Sequence, residues 1–209
     1  MTPREISALV STILVIVGTV WYIYLVVTGT KVKPVLATWI VTSCGTILSF
    51  ATYWTSPKHS LVSNAYNAIS IVTINAILIA TAWKNRKDGV VIRFNGFQKV
   101  CLGVSSAIAI YWVVLVWCLG GTGIKPNILT QVLMFIGYLI TAERLWHAKK
   151  NSESLFAWWC ILSAGMIALY TGIVSHNGLS ILFAARTSFG VALLLWLMHR
   201  AERKARITN

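Results

Sequence analysis

Residues 6–28 read ISALVSTILVIVGTVWYIYLVVT, an unbroken run that contains no charged side chain. A helix of this length crosses a hydrocarbon core of about 30 Å, and inside lipid a helix satisfies its own backbone hydrogen bonds. The run is too long for the apolar core of a signal peptide, and no small-residue cleavage site follows it. We therefore expect it to be a retained first transmembrane span.

Six further apolar runs of similar length follow, separated by polar or turn-rich breaks. They are 35–55, 62–83, 98–119, 126–147, 154–174 and 178–199. The short alternating segments of a membrane barrel are absent. Composition agrees, since 57% of the residues are hydrophobic and 11% are charged, whereas a soluble domain has about 25% charged residues. The sequence predicts an all-α integral membrane protein with seven transmembrane helices.

The basic residues predict the orientation in the membrane. The formal net charge is +13, but the charges lie between apolar runs rather than on one soluble face, so we expect no nucleic-acid partner. Three Lys or Arg, Arg4, Lys58 and Lys125, fall on one side, and Arg186 lies within span seven. The other fourteen fall after spans 1, 3, 5 and 7: Lys31, Lys33, Lys84, Arg86, Lys87, Arg93, Lys99, Arg144, Lys149, Lys150, Arg200, Arg203, Lys204 and Arg206. The positive-inside rule then predicts a cell-membrane protein with its N-terminus outside and its C-terminus cytoplasmic.

Two internal self-matches compete. In the first, 29–38 aligns with 121–130, and the residue numbers differ by 92. This match pairs span 2 with span 5 and implies inverted three-span repeats. In the second, 18–39 aligns with 137–158, and the numbers differ by 119. Each copy contains a basic loop, at 28–33 in the first and at 147–154 in the second. The second self-match places both loops on one side of the membrane, as parallel repeats require, and we prefer it.

The second self-match predicts a three-one-three plan. Residues 1–90 form a first three-helix bundle, residues 91–122 a linker helix, and residues 123–209 a second three-helix bundle with a basic tail. Two segments resemble the SWEET and PQ-loop transporters in this plan. The first runs from GTVWYIY at Gly18 through KPVLATW, which ends at Trp39, and the second is GYLITAERLWHAKKNSESLFAW, from Gly137 to Trp158. The topology is also similar to that of the bacterial nicotinamide-riboside transporters.

The resemblance implies a transporter whose solute binds between the two bundles. It also implies that an asparagine in the third helix and a partner in the seventh touch the solute, which points to Asn75 and to the segment from Arg186 to Ser188. The Pro-Gln dipeptides of the family are absent, since Tyr22-Ile23 and Thr141-Ala142 stand about where they would be. The hinge prolines within the helices are also absent.

Polar side chains at membrane depth are the candidate binding residues, because burying them in lipid is costly. Arg186 lies near the middle of span seven, where a guanidinium could anchor an anionic or carbonyl-bearing ligand; a later start of that span would instead place it among the outer headgroups. Asn75 binds solute or makes a helix–helix hydrogen bond. Further candidates for the solute pocket are Asn67, Thr73, Trp112, Tyr138, Trp158 and Trp159.

Glu143 is the one acidic residue that the predicted spans include, and it is the candidate for a proton-coupling carboxylate; the alternative is local pairing with Arg144 or with loop lysines. No motif predicts an enzyme, a cofactor or a metal site. A retinal protein needs a lysine in its last span, and residues 178–198 contain none. A seven-helix receptor is disfavoured by the short outer loops.

The sequence therefore predicts a transporter or facilitator for a small polar solute, sugar-like or vitamin-like, with membrane lipid as its surroundings and a homo-oligomer left open. The alternative is a non-transporting membrane protein that binds lipid or a protein partner through its basic cytoplasmic face.

Overall fold

The helices coincide with the apolar runs. The computed structural model describes residues 2–29, 32–55, 62 and 64–207, and in these ranges it contains no strand. The helices are α1 (Pro3–Thr28), α2 (Leu36–Trp54), α3 (Ala65–Lys87), α4 (Gly96–Val113, continued by a π-helical turn, Val114–Cys118), α5 (Ile124–His147), α6 (Leu155–Val174) and α7 (Gly178–Ile207). Within the described ranges, seven helices are long and apolar enough to cross a membrane. The predicted all-α, seven-helix fold is confirmed, and the chain is a multi-pass membrane protein.

Most helix ends differ from the predicted spans by a few residues, and the C-terminal end of α7 differs by eight. A capping box at Thr2 and Glu5 starts α1 three residues before the apolar run. The basic tail after residue 199 continues α7 to Ile207, since cationic side chains favour a helix C-terminus. Pro34 precedes Val35, the N-cap of α2, whereas Pro126 lies in the first turn of α5, where its missing N–H costs little.

The outer surface of the bundle is apolar. Val72, Ile79, Val100, Ile110 and Phe189, from α3, α4 and α7, each expose between 64% and 68% of their surface. Soluble monomers rarely expose apolar patches larger than a few hundred Å². This surface is suited to contact with lipid. The polar side chains of the helices lie mainly in the interior of the bundle and at its ends.

The helices pack as two triples joined along two crossings. In the first triple α3 packs between α1 and α2, and in the second α7 packs between α5 and α6. Across the triples, α1 packs against α6 and α2 against α5, while α4 packs on α5 and α2. We call the end of the bundle at which α1, α3, α5 and α7 finish the basic end. The domain boundaries at residues 90 and 122 stay a prediction.

Glycines allow the two triples to approach closely. A Cβ atom on Gly18 of α1 would lie 3.1 Å from the carbonyl oxygen of Ala157 in α6. A Cβ atom on Gly137 of α5 would lie 2.4 Å from Thr42 Cγ2 and 3.4 Å from the carbonyl oxygen of Thr38 in α2. Gly18 and Gly137 differ by 119 in number, as do Thr38 and Ala157. The residues in contact at one crossing are therefore the counterparts, in the second self-match, of the residues in contact at the other.

Adding a methyl group at either crossing is expected to destabilise the protein. For Gly18→Ala and Gly137→Ala we expect a loss of about 1–3 kcal/mol from overpacking, partly offset by up to about 1 kcal/mol of helix propensity. Gly103 is the matched control, because it lies on α4 and a Cβ there meets no atom within 4 Å. The measurement is the midpoint of thermal unfolding in detergent, followed by tryptophan fluorescence. Equal midpoints for the three variants would contradict the close crossings.

Candidate functional site

A central cavity lies between the two triples. Its walls come from α1, α2, α3, α5, α6 and α7. Aromatic rings form much of the wall: Trp39, Tyr66, Tyr138, Trp158 and Phe183. Threonine and serine hydroxyls also line it: Thr19, Thr38, Thr42, Thr46, Ser70, Thr73 and Thr187. Aromatic faces beside a few hydroxyls can hold a small molecule that has both polar and apolar parts.

Arg186 brings a positive charge to this cavity. The residue lies eight positions after the start of α7, about 12 Å along the helix axis. Its Nε donates to Gln131 Oε1 at 3.1 Å, and its Nη1 donates to the hydroxyl of Tyr138 at 3.2 Å. Its guanidinium carbon lies 4.8 Å from the centre of the Phe183 ring, which is within the range of a cation–π contact. Protein groups thus fix the guanidinium at mid-depth in the bundle.

A buried polar network lies behind Arg186. Gln131 Nε2 lies 3.1 Å from Asn127 Oδ1 and 3.3 Å from Ser49 Oγ. Ser49 Oγ also accepts a hydrogen bond of 3.3 Å from Asn67 Nδ2. All four residues are at most 5% exposed. The network connects α7 through α5 to α2 and α3, so both triples hold the guanidinium in position.

A second polar cluster, the Glu153 cluster, lies at the basic end. We define it as Tyr22, Arg144, Glu153 and Trp158. Glu153 Oε2 accepts hydrogen bonds from Tyr22 Oη at 2.8 Å and from Trp158 Nε1 at 3.2 Å. Glu153 Oε1 pairs with Arg144 Nη2. The carboxylate is buried yet fully paired, and its place just before α6 also favours a negative charge.

An aromatic layer separates the central cavity from the basic end. Trp39 and Trp158 stack with ring centroids 6.3 Å apart and an interplanar angle of 21°. Tyr22 lies edge-on to both rings. Beyond the layer is an open hollow of about 1920 Å³ whose wall includes Lys33, Lys150, Glu153, Glu202 and Arg206. Trp158 lines the cavity and bonds to Glu153, so this layer and the Glu153 cluster lie between the two spaces.

The structure brings together some of the residues singled out from the sequence. Arg186, Tyr138, Trp158 and Thr73 line the central cavity. Asn67 joins the network behind Arg186, where its Oδ1 has no partner among the described residues. Sequence order places these five on four different helices, and the fold gathers them around one space.

Asn75 lies elsewhere. Its Oδ1 accepts a 2.8 Å hydrogen bond from Ser43 Oγ of α2, and its Nδ2 donates to the carbonyl of Ile71. Asn75 is not among the described residues that line the central cavity. Its position matches the helix–helix hydrogen bond that was the alternative for this residue, so Asn75 and Arg186 do not share the cavity.

Three other candidates also lie away from the cavity wall. The buried indole of Trp112 donates to Thr52 Oγ1 at 2.9 Å and fastens α4 to α2. Trp159 is 49% exposed on the outer surface. Glu143 is partly exposed, and Arg144 pairs with Glu153 rather than with Glu143. The role of Glu143 in coupling stays a prediction.

The sequence reading overlooked two residues that matter to the site. Gln131 is an uncharged polar residue within an apolar run, and its depth alone could have marked it as facing the interior. Glu153 stands in the polar break between spans five and six. Nothing in its local sequence shows that its carboxylate accepts hydrogen bonds from Tyr22 and Trp158.

Comparisons with protein-family models, with curated proteins and with solved structures gave no match. The resemblance to the SWEET and PQ-loop transporters therefore rests on the sequence segments from Gly18 and Gly137 and stays a prediction. In the part of the chain that the structure describes, no group of three or more His, Cys, Asp or Glu side chains could hold a metal ion.

Removing the Glu153 carboxylate is expected to cost far more stability than removing a surface carboxylate. For Glu153→Ala we expect a loss of about 3–5 kcal/mol, because Arg144 then keeps a charge without its partner. Asp88→Ala is the matched control: Asp88 pairs with Lys84 at 3.1 Å and is 42% exposed at the side chain, so its loss should be below about 1 kcal/mol. Unfolding midpoints in detergent measure both losses, and an equally small loss for Glu153→Ala would contradict the buried cluster.

Proposed function

We propose that this protein is a membrane transporter or facilitator for a small polar solute, which binds near mid-membrane between the two triples. The observation that carries the proposal is the central cavity, where Arg186 faces aromatic rings and hydroxyls contributed by both triples. A guanidinium at this depth is costly in a purely structural role. Solute sites of many transporters lie at such an interface between two helical halves.

Each wall of the cavity has a proposed part in binding. Arg186 and Tyr138 contact the polar head of the solute, and the flat faces of Trp39 and Trp158 pack against its body. Gln131 and Asn67 position Arg186 from behind. Asn75 holds α3 to α2, and Trp112 holds α4 in place.

The aromatic layer and the Glu153 cluster supply a gate in this proposal. Trp39 belongs to the first triple and Trp158 to the second, so a rocking motion of one triple against the other would separate the stacked rings. The central cavity would then join the hollow at the basic end. In the conformation described here the rings are stacked, which in this proposal is the closed state of the gate.

We also propose that the basic end is cytoplasmic, that the N-terminus is outside and that the protein resides in the cell membrane. The support is the distribution of Lys and Arg, fourteen on one side against three on the other. A tag before Thr2 should then react with an impermeant reagent on intact cells, and a tag after Asn209 should react only after permeabilisation. The reverse pattern would overturn the orientation.

Transport is tested by uptake into liposomes that contain the purified protein. The radiolabelled panel is glucose, glycerol, nicotinamide riboside, lactate and glycerate. We expect uptake of at least one solute to exceed that of Arg186→Ala by about tenfold or more, since a buried charged contact is worth at least 2 kcal/mol. Arg203→Gln, an exposed change on the tail of α7, is the control and should transport normally.

A second candidate function is the binding of lipid or of a protein partner at the basic end without transport. The hollow there favours it, because Lys33, Lys150 and Arg206 face a space that adjoins the apolar side chains of Trp21 and Leu25. In that case no solute of the panel enters the liposomes above background. Arg186→Ala is then silent, and neutralising Lys150 and Arg206 abolishes the function.

A further inference from the structure

The charge of Arg186 has no carboxylate partner. The chain has five acidic residues, Glu5, Asp88, Glu143, Glu153 and Glu202, and all five lie within the described ranges. Glu5 is in the first turn of α1, and the other four are near the basic end. The carboxylates that form ion pairs in the described structure are Asp88 and Glu153, with Lys84 and Arg144. The guanidinium therefore stays uncompensated by the protein at mid-depth.

Arg186 also keeps donor capacity toward the cavity. A guanidinium carries five N–H groups. In the described structure two of them bind oxygen, at Gln131 and Tyr138, and Nη2 faces the sulfur of Met134 at 3.2 Å. A thioether is a weak acceptor, so the Nη1 and Nη2 edge still has N–H groups for a strong acceptor. A carboxylate is the planar anion that this edge binds best.

The single positive charge in the cavity wall favours a ligand with a single negative charge. Arg186 is the one charged residue among the described residues that line the cavity. A dianion would leave one charge buried without a partner, and an unpaired buried charge is strongly unfavourable. The cavity wall offers no carboxylate to an ammonium group either, which disfavours an amino acid relative to a hydroxy acid.

The hydroxyls of the wall favour donor groups on the ligand. Thr42, Thr46, Ser70, Thr73 and Thr187 each donate to a backbone carbonyl four residues earlier in their own helix. Their protons are engaged, while their oxygens keep lone pairs that can accept. A ligand hydroxyl can donate to these oxygens while its carboxylate accepts from Arg186.

We propose that the central cavity selects a small hydroxylated monocarboxylate, held by the Nη1 and Nη2 edge of Arg186, with its hydroxyl groups on the threonine and serine oxygens. This rests on the transport function proposed above, and it narrows the solute class from polar to singly anionic. A neutral sugar or polyol would leave the guanidinium without an acceptor of matching charge.

The test is binding to the purified protein in detergent, measured by calorimetry. Glycerate and lactate are the probes, and glycerol is the neutral match that keeps hydroxyls on the same carbon skeleton. Alanine, inorganic phosphate and chloride complete the panel. We expect glycerate to bind at least about tenfold more tightly than glycerol, because only glycerate places a charge on Arg186. Alanine and phosphate should bind more weakly than glycerate.

Variants test whether the preference for glycerate depends on the guanidinium of Arg186. Arg186→Gln should abolish the preference for glycerate over glycerol, while Arg203→Gln should keep it. If Arg186→Gln does not fold, Tyr138→Phe removes the hydroxyl that orients Nη1 but keeps the ring, and should weaken glycerate severalfold with no effect on glycerol. An unchanged preference in Arg186→Gln, or in Tyr138→Phe where Arg186→Gln does not fold, would overturn the assignment to Arg186.

The remaining outcomes distinguish this inference from the proposed function. Liposome uptake of glucose or glycerol without binding of glycerate or lactate would overturn the monocarboxylate and leave transport intact. Phosphate or chloride binding as tightly as glycerate would also overturn it, in favour of an inorganic anion. Binding of glycerate that depends on Arg186, without its uptake, would support the ligand class and refute transport.

Discussion

The close approach of the helix backbones at Gly18 and Gly137 is the constraint on which the arrangement of the bundle depends. Both crossings leave room for a hydrogen atom but not for a methyl group, so α1 meets α6 and α2 meets α5 at backbone distance. With both crossings this tight, Trp39 and Trp158 come near enough to stack. The cavity lies between the two crossings, where α3 and α7 contact each other only sparsely.

The segregation of charge follows from the apolar surroundings of the bundle. Carboxylates lie near the helix ends, where water or a basic partner is at hand, and most hydroxyls inside the helices bond to their own backbone. Such hydroxyls cost little in an apolar interior, because their hydrogen bonds do not depend on another helix. Arg186 is the exception, since a guanidinium has too many donors to be satisfied locally.

The sequence predicted the features that depend on helix length and composition, and it missed those that depend on the direction of a side chain. Seven spans and the depth of Arg186 follow from the length of the apolar runs. Asn67 and Asn75 are eight residues apart, about 80° around α3. No periodicity could show that Asn67 meets Ser49 while Asn75 meets Ser43. Glu153 was missed because its partner Tyr22 is 131 residues away.

Tyr138 connects Arg186 with the aromatic layer. Tyr138 accepts a hydrogen bond from Arg186 through its hydroxyl, and its ring lies edge-on to Trp158 with centroids 6.5 Å apart. Trp158 in turn donates to Glu153, which Arg144 of α5 holds in place. If a solute draws the guanidinium, as proposed above, the support of the Tyr138 ring changes, and with it the packing of Trp158 on Trp39. The contacts that position Arg186 are thus continuous with those of the aromatic layer and the Glu153 cluster.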